Sequence, residues 1–330
     1  MTDTGSQHIN DIQERVAFII PHKGREEMLL QTLRSIAQLD RDGFAVEVHL
    51  VTQNDSVSDE IHAIPDIDLK VHNRKGCGNI SASRNYGVSQ TKASFIAFID
   101  ADVELSQHWL RTLHQELQVP GRVLVSAKQI TSANPTVLER IRTSLSNVDI
   151  DRDVTFLPGR NLLVRRSDVI KVNGFPEHLE TCEDYYFTHA LSQHGALHYT
   201  SKTEYVHIGE DKVLTEMAKK EVWRGQSNIA SMKGRDIPLR EIPSFLIPPG
   251  MMFALLSALF LAITGYFDAA FILIGLSLLP FVAYCIRLKQ HVSPPVSWWD
   301  ITQFYAYYFP ARAIGTVRGI FGELTTDSHS

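Results

Sequence analysis

The chain has 330 residues, 44% of them hydrophobic and 21% charged, so it can bury a substantial core and should form roughly two structural units. Its net charge of -5 argues against a nucleic-acid-binding protein, which needs a basic surface for the phosphate backbone. The three cysteines are widely separated and indicate neither a disulfide framework nor a zinc knuckle, which favours a reducing compartment.

Strands and helices are predicted to alternate along the first half of the chain. Met1 to Asp11 are polar and lack the apolar core of a signal peptide, and residues 1–15 are predicted to form a disordered tail. Predicted strands cover Val16 to Ile20, Val46 to Val51, Leu69 to His72, Phe95 to Ile99 and Val123 to Ile130, and predicted helices cover Glu26 to Leu39, Ser81 to Thr91, Gln107 to Leu117 and Pro135 to Leu145. Uninterrupted apolar strands are typical of a parallel sheet covered by helices on both faces. We therefore expect residues 16–242 to form an open, mostly parallel, Rossmann-like α/β domain.

Polar residues follow three of these strands. They are Pro21 to Arg25, Gln53 to Asp55, and Asp100 to Asp102. Ligands of open α/β sheets bind in the crevice beyond the carboxyl ends of the strands, so one crevice should collect all three segments. The chain has neither a Walker A loop nor a Gly-x-Gly-x-x-Gly motif, which leaves a divalent cation as the natural partner for phosphates.

Residues 243–290 are predicted to form two transmembrane helices, at about 247–267 and 269–287, because each apolar stretch approaches the roughly 20 residues that cross a bilayer. Pro248-Pro249 should mark the start of the first helix. Lys233, Arg235 and Arg240 precede the pair and Arg287 and Lys289 follow it, so the positive-inside rule places both flanks in the cytosol. These features predict a multi-pass protein of the cytoplasmic membrane whose larger domain faces the cytosol. The alternative is a buried helical hairpin of a soluble protein.

The segment 291–330 is predicted to be an interfacial amphipathic helix with a polar tail. Trp298, Trp299 and the tyrosines at 305, 307 and 308 suit the boundary between lipid and water, and the uncharged stretch Ile301 to Ala311 is too short to cross a bilayer. A third span and plain core packing are the alternatives.

Asp100 and Asp102 lie two residues apart where a buried strand becomes a loop, so both carboxylates can reach one side of the crevice. Mg²⁺ or Mn²⁺ commonly binds one or two carboxylates together with substrate phosphates, and it then acts as a Lewis acid for a departing diphosphate. An ordinary solvated acidic turn is the alternative explanation.

Several segments, in this order, resemble the family 2 glycosyltransferases of the GT-A fold. They are VAFIIPHKGR (16–25), SASRNYG (81–87), FIDAD (98–102), GRNLLVRR (159–166), VNGFPE (172–177), Glu183-Asp184 and His207. The resemblance covers residues 16 to about 225, and the ordered set is far more specific than any one segment.

The resemblance implies a role for each matching residue. The implied nucleotide-sugar-binding residues are Pro21, Arg25, Gln53, Asp55, Arg84, Asp100, Gly159 and Asn161. Asp102 and His207 would bind the metal, and Asp184, next to Glu183, would be the catalytic base of an inverting enzyme. Each has a structural alternative: a salt bridge for Arg84, a favourable helix N-terminus for the two acids, and a packing role for His207.

The chain also departs from the family pattern. Many members carry paired acids after the second strand, whereas this chain has Gln53-Asn54-Asp55, which leaves two alternatives open: Asp55 corresponds to one of those acids, or Gln53 hydrogen-bonds the nucleotide base instead. The Gln-x-x-Arg-Trp signature of processive synthases is missing, which favours the transfer of a single sugar.

The expected function is the transfer of one sugar from a nucleoside diphosphate sugar, with Mg²⁺ or Mn²⁺, to a lipid-linked or membrane-proximal acceptor in cell-surface polysaccharide or glycolipid synthesis. The bilayer is the other expected partner. Two alternatives are a membrane scaffold with a degenerate sugar-nucleotide domain and a phosphatase that uses Asp100 as its nucleophile.

Overall fold

The computed structural model describes residues 14–76, 78–232, 237, 239 and 242–326. Its strands are β1 (Arg15–His22), β2 (Ala45–Thr52), β3 (Asp68–Asn73), β4 (Phe95–Ile99), β5 (Val103–Leu105), β6 (Arg122–Ile130), β7 (Arg152–Val154), β8 (Asn161–Arg165) and β9 (Ala196–His207). Its α-helices are α1 (Glu26–Ala37), α2 (Asp59–His62), α3 (Ile80–Ser89), α4 (Trp109–Leu117), α5 (Val137–Ser146), α6 (Arg166–Lys171), α7 (Glu183–Ser192), α8 (Leu214–Gly225), α9 (Ile242–Ile263), α10 (Phe267–His291) and α11 (Trp298–Thr326).

The described strands form one mixed sheet in the order β3-β2-β1-β4-β8-β6-β9-β5, with β7 beside β9. The first four strands are parallel, and β8 runs antiparallel to β4 and to β6. Strands β1 and β4 are almost wholly apolar and buried, as expected for strands covered on both faces. The prediction of an open, mostly parallel α/β sheet is confirmed.

Two hydrophobic cores cover the sheet. One includes Phe18 of β1 and Trp109 of α4, and the other includes Phe98 of β4 and Phe187 of α7. Most predicted boundaries fall within two residues of the structure; α5, predicted from Pro135, begins at Val137 because Thr136 caps it. The short elements α2, β5, β7 and α6, the strands β8 and β9, and the longer helix α8 are absent from the sequence-based prediction.

The two long apolar helices α9 and α10 follow the sheet domain. Their mean hydropathies are 2.1 and 2.3, and only 17% of each apolar window is buried within the protein, which argues against a core hairpin of a soluble protein. One boundary is corrected: α9 begins at Ile242, so Pro248 and Pro249 lie inside it rather than at its start. Phe245 is buried in the turn before the prolines, and this packing extends the helix beyond the point that proline preferences indicate.

Helix α11 is one continuous helix of 29 residues with a buried face. Ile301 and Phe304 join Met217 of α8, Leu138 of α5 and Leu288 of α10 in a third core. Core packing, one of the two alternatives to an interfacial helix, therefore applies to at least one face of α11. The predicted tail, apart from Glu14 and Arg15, and the basic flank at 233, 235 and 240 lie outside the described residues.

Glycine allows α8 and α11 to cross closely. A Cβ atom on Gly315 of α11 would lie 2.4 Å from the carbonyl oxygen of Val222 and 2.9 Å from the Cα atom of Gly225. The helix backbones are thus in direct contact, as in crossings made by small residues. Helix α11 is therefore seated on the sheet domain as well as on the apolar hairpin.

Candidate active site

The carboxyl ends of β1, β2 and β4 meet at one edge of the sheet, as the sequence predicts. Gly24 donates its backbone N–H to Oδ1 of Asn54 at 2.8 Å, which ties the loop after β1 to the loop after β2. Arg25 follows in a left-handed conformation with φ of 46° and reaches Oδ2 of Asp102 at 3.2 Å. The loops after β1 and β4 are therefore joined by a charged contact at the same edge.

The residues predicted to bind the nucleotide at its base end differ in their surroundings. Nε2 of Gln53 donates to the carbonyl oxygen of Gly78 at 3.0 Å, and this bond fixes the amide plane. Asp55 is exposed and pairs with Lys75. Pro21 lies inside β1 opposite Val51. Among the described residues none donates to the amide oxygen of Gln53, which can therefore act as an acceptor, whereas the carboxylate of Asp55 is already paired.

Asp102 and His207 are brought together by strand pairing. Strand β5 begins directly after Asp102 and runs antiparallel to β9, with Val103 opposite His207. Oδ1 of Asp102 lies 3.5 Å from Nε2 of His207, and both side chains are nearly buried. Burial, the largest effect, favours the neutral acid, but the hydrogen bond and charge of His207 and the charges of Arg25 and Arg160 together outweigh it and hold the pKa of Asp102 below its usual value.

Gly209 closes over this pair. A Cβ atom at Gly209 would lie 2.0 Å from Oδ2 of Asp102, so only glycine leaves room for the carboxylate. Sequence reasoning missed Gly209 and its neighbour Glu210, whose Oε2 lies 3.2 Å from Nδ1 of His207. The sequence signal was available, because both residues lie within three positions of His207, just after the end of a strand.

Arg84 joins the two acidic motifs. Its guanidinium donates to Oδ1 of Asp100 at 2.9 Å, to Oε1 of Glu183 at 2.8 Å and to the carbonyl oxygen of Gly159 at 3.3 Å. The side chain is 2% exposed and stacks over the ring of Phe175. Its surroundings correspond to the salt-bridge alternative: both terminal nitrogens of the guanidinium donate to protein groups, and Nε is buried away from the crevice surface without a partner in the described part of the chain.

Asp184 is the second residue of helix α7 and lies beside this cluster. Its Oδ2 accepts the backbone N–H of Gly159 at 3.3 Å, and its Oδ1 accepts that of Tyr185 at 2.9 Å. Burial, followed by the negative charge of Glu183, raises the pKa of Asp184 to about 7. A buried carboxyl group that titrates near neutral pH is suited to general-base catalysis.

Asn161 does not reach the crevice. Its amide lies inside the sheet, where Oδ1 accepts from Nε1 of Trp109 at 2.7 Å and Nδ2 donates to Oγ of Ser126 at 2.8 Å. Further bonds to Ala127 complete its hydrogen-bonding capacity, and the residue is fully buried. The implied role in nucleotide-sugar binding is therefore corrected to a structural one. Gly159 lies at the site but contributes only backbone groups.

The possible metal ligands of the site can be compared with the coordination that a divalent cation requires. In the described ranges no group of three or more His, Cys, Asp or Glu side chains is arranged as a complete metal site. Asp102 and His207 together offer one carboxylate and one imidazole, and ions of the Mg²⁺ type commonly take the rest of their ligands from substrate phosphates and water. The residues present therefore fit a cation that is shared with a diphosphate.

Comparisons with known proteins bear on this site. The family model described as "Glycosyl transferase family 2" matches residues 17–172. The pre-mycofactocin glycosyltransferase of Mycobacterium tuberculosis is 24% identical over 173 residues, which is 48% of this chain and 36% of that protein. The chain thus matches about a third of the length of its curated relatives.

Two solved structures share the fold. The mannosyltransferase PcManGT of Pyrobaculum calidifontis, in complex with GDP-Man and Mn²⁺, has a TM-score of 0.62 and 16% identity and covers 93% of this chain and 88% of its own. GalNAc-T7 with UDP, GalNAc and Mn²⁺ has a TM-score of 0.50 and 13% identity and covers 72% and 54%. At these identities the likeness shows the fold alone. Residues 17–172 of this chain therefore belong to glycosyltransferase family 2, within a domain of the GT-A fold.

Proposed function

We propose that the chain is a membrane-anchored glycosyltransferase that moves one sugar from a nucleoside diphosphate sugar to a lipid-linked or membrane-proximal acceptor, with inversion. One observation carries the proposal: Arg84 binds Asp100 and Glu183 at once. Through this contact the acidic loop after β4 and the acidic start of α7 form a single site. A donor-binding loop and a general base are the two parts that direct displacement at a sugar carbon requires.

The residues of the site divide the reaction between them. The carboxylate of Asp184 takes the proton of the acceptor hydroxyl while that oxygen bonds to the anomeric carbon. The bond from this carbon to the diphosphate breaks, and the nucleoside diphosphate leaves with the electron pair. Mg²⁺ or Mn²⁺, held by Asp102 and His207, would offset the charge of the leaving group.

Arg84 supports this chemistry indirectly in our proposal. Its bonds to Asp100 and Glu183 hold both acidic motifs in one geometry, and Arg25 at the open edge is the cation left to approach the diphosphate. The side chain of Arg25 is 58% exposed, whereas that of Arg84 is 2% exposed. The oxygen of the Gln53 amide is proposed to accept an N–H of the base.

The anchor is assigned to α9 and α10. Both are long and apolar enough to cross a bilayer, and an anchor would raise the effective concentration of an acceptor confined to the membrane surface. We propose that the sheet domain and both ends of the hairpin face the cytosol. The pre-mycofactocin glycosyltransferase and the GDP-Man complex support a nucleotide-sugar donor in general terms, without selecting the sugar or the base.

The function can be tested with purified full-length protein and a panel of nucleoside diphosphate sugars, offered with membrane lipid extract. Release of nucleoside diphosphate is measured before and after chelation and after Mn²⁺ is restored, and the anomeric configuration of the product is read by NMR. We expect Asp184→Asn to reduce turnover by roughly 10²- to 10⁴-fold, the usual range for loss of a general base. The exposed Asp59→Asn on α2 serves as the control.

Three results would contradict the proposal. Activity that is unaffected by chelation and by Asp102→Asn would contradict the proposed role of the metal. Wild-type turnover in Asp184→Asn would contradict the proposed role of Asp184 as the catalytic base. Binding of donor without transfer to any acceptor would favour the scaffold alternative.

Orientation in the membrane needs a separate test. Tyr266→Cys, in the turn between α9 and α10, should react with a membrane-impermeant maleimide in intact cells. Lys219→Cys, exposed on α8, should react only after lysis. Reaction at position 219 in intact cells would reverse the proposed orientation.

A further inference from the structure

The turn that leads into helix α7 has an unusual backbone. Cys182, the last residue before the helix, has φ of 64° and ψ of 17°, a left-handed conformation that residues with a side chain rarely adopt. Its carbonyl oxygen accepts the backbone N–H of Tyr186 at 3.4 Å and so starts the hydrogen-bond pattern of α7. A residue other than glycine keeps such a conformation only where the surrounding contacts hold it. Asp184 lies two residues further on, so the same contacts also set the position of its carboxylate.

These contacts come from the end of helix α8. The hydroxyl of Thr181 donates to the carbonyl oxygen of Arg224 at 3.2 Å, and Sγ of Cys182 lies 3.8 Å from the same oxygen. Thr181 is 3% exposed, so water has little access to this hydrogen bond. Arg224 lies in the last turn of α8, where helix carbonyl groups have no N–H partner within the helix. Its oxygen is therefore available to hold the turn before α7.

The carbonyl group of Arg224 is itself held in place. Nη1 of Arg224 lies 2.6 Å from Oε1 of Glu221, whose other oxygen lies 3.4 Å from Nη1 of Arg312 on α11. The next residue, Gly225, is in direct backbone contact with Gly315 of α11. Ion pairs and the helix crossing thus fix the acceptor that the Thr181 hydroxyl binds.

The carboxylate of Asp184 depends on where α7 begins. Its Oδ2 accepts the backbone N–H of Gly159 at 3.3 Å, and the carbonyl oxygen of Gly159 accepts from Arg84. A shift of the first turn of α7 would break this bond and move the carboxylate away from the rest of the site.

We propose that Thr181 is a positioning residue for the catalytic base. Its hydroxyl, bound to the carbonyl oxygen of Arg224, holds the left-handed turn at Cys182 and so keeps Asp184 where it can take the proton of the acceptor. This inference rests on the role of Asp184 in the proposed function. It also gives helices α8 and α11 a direct contact with the part of the site that carries the base.

Thr181→Val tests the proposal, because valine has nearly the shape of threonine but cannot donate a hydrogen bond. Thr181→Ser keeps the hydroxyl and should restore the wild-type behaviour. Thr203→Val is the matched control: Thr203 is 5% exposed, and its hydroxyl lies 2.8 Å from that of Ser106, in the segment between β5 and α4. Each valine removes one buried hydroxyl, so a general loss of stability should appear in both variants.

The first readout is the kinetics of the purified full-length protein. We expect kcat of Thr181→Val to fall roughly 10- to 100-fold, since a misplacement of about 1 Å at a catalytic group can have an effect of this size. The KM for the nucleoside diphosphate sugar should not change, because the residues proposed to bind the donor keep their contacts. Thr181→Ser and Thr203→Val should keep the kcat of the wild type.

The second readout follows the turn without any turnover. Amide hydrogen exchange is measured by mass spectrometry in peptides that contain Tyr186 and Gly159, whose N–H groups bind the carbonyl oxygen of Cys182 and the carboxylate of Asp184. We expect exchange of both segments to be roughly fivefold or more faster in Thr181→Val than in the wild type, as the loss of one buried hydrogen bond predicts. Thr181→Ser and Thr203→Val should exchange as the wild type does.

Unchanged exchange or an unchanged kcat in folded Thr181→Val would overturn the inference. A full loss of kcat in Thr181→Ser would overturn it as well, because the hydroxyl would then not be the cause. If Thr181→Val does not fold, the wild type and Thr181→Ser decide: protection of the Tyr186 amide in both supports a held turn, and exchange as fast as in an exposed loop refutes it.

The proposed function fails in a different way. A wild type that releases nucleoside diphosphate from no donor refutes the transfer reaction, whereas the exchange rates still show whether Thr181 holds Asp184 in place.

Discussion

Gly209→Ala is the substitution whose effect can be worked out most directly. The glycine lies beside the carboxylate of Asp102, and the added methyl group would stand 2.0 Å from Oδ2 and 2.7 Å from Cγ. Gly209 has no left-handed backbone conformation, so alanine meets no backbone strain there and acts through this contact and a tight one, 3.1 Å, to Nη1 of Arg25. The carboxylate has to move, and with it the contacts to Arg25 and His207.

The size of the movement sets the expected loss. Ordinary contacts of a Cβ atom begin at 3.4 Å, so Oδ2 has to retreat by about 1.4 Å. A misplacement of about 1 Å in a catalytic constellation can reduce turnover about 100-fold, which corresponds to about 2.7 kcal/mol in the barrier. We therefore expect kcat/KM of Gly209→Ala to fall about 100-fold, with the KM for Mn²⁺ raised.

The assay is release of nucleoside diphosphate, with thermal unfolding as a check on the fold. Gly250→Ala is the matched control, because a Cβ atom there meets nothing within 4 Å and the residue lies inside helix α9. A Gly209→Ala variant with a normal Tm and a kcat/KM within about threefold of the wild type would refute the reasoning, because a displacement of about 1 Å should reduce kcat/KM by much more than that.

Three further predictions concern other parts of the protein. Asp184→Asn should raise Tm more at pH 8 than at pH 5: the folded pKa of about 7 exceeds the unfolded value of about 3.9, so wild-type stability falls as pH rises through this window, and a constant difference in Tm would contradict this. Gly315→Val should destabilise the folded protein by about 1–3 kcal/mol in denaturant unfolding, because α8 and α11 can no longer touch; no change would contradict the crossing. Arg84→Lys should lower both kcat and Tm, since one ammonium cannot replace a fork that binds Asp100 and Glu183, and turnover equal to the wild type would contradict its positioning role.

The part of the fold that could be predicted is the part set by local pattern. The apolar runs Val16 to Ile20 and Phe95 to Ile99 identify buried parallel strands, and parallel strands place their carboxyl ends at one edge. Strand pattern is therefore sufficient to place Asp102 at the edge of the sheet. The apolar stretches of the hairpin are equally clear, because length and composition alone define them.

Pairings between distant residues were beyond prediction. Nothing near Arg84 in the sequence shows that it binds Asp100 and Glu183, and nothing near Asn161 shows that its amide oxygen accepts from Trp109. These contacts join residues 16 to 99 positions apart, so they depend on the topology of the sheet. Local preference also failed at Pro248, where packing of the preceding turn extends the helix.

The close crossing of Gly225 and Gly315 has a consequence for the choice of acceptor. The chain leaves the sheet domain at α9, returns through α10, and is fastened to the domain again by α11. With α9 and α10 in the bilayer, two attachments prevent the domain from tilting freely, so the catalytic crevice stands at a set height above the lipid. Acceptors whose reactive hydroxyl lies at that height should be preferred. A series of lipid acceptors with polar spacers of increasing length should then show one optimum, and Gly315→Val should broaden it.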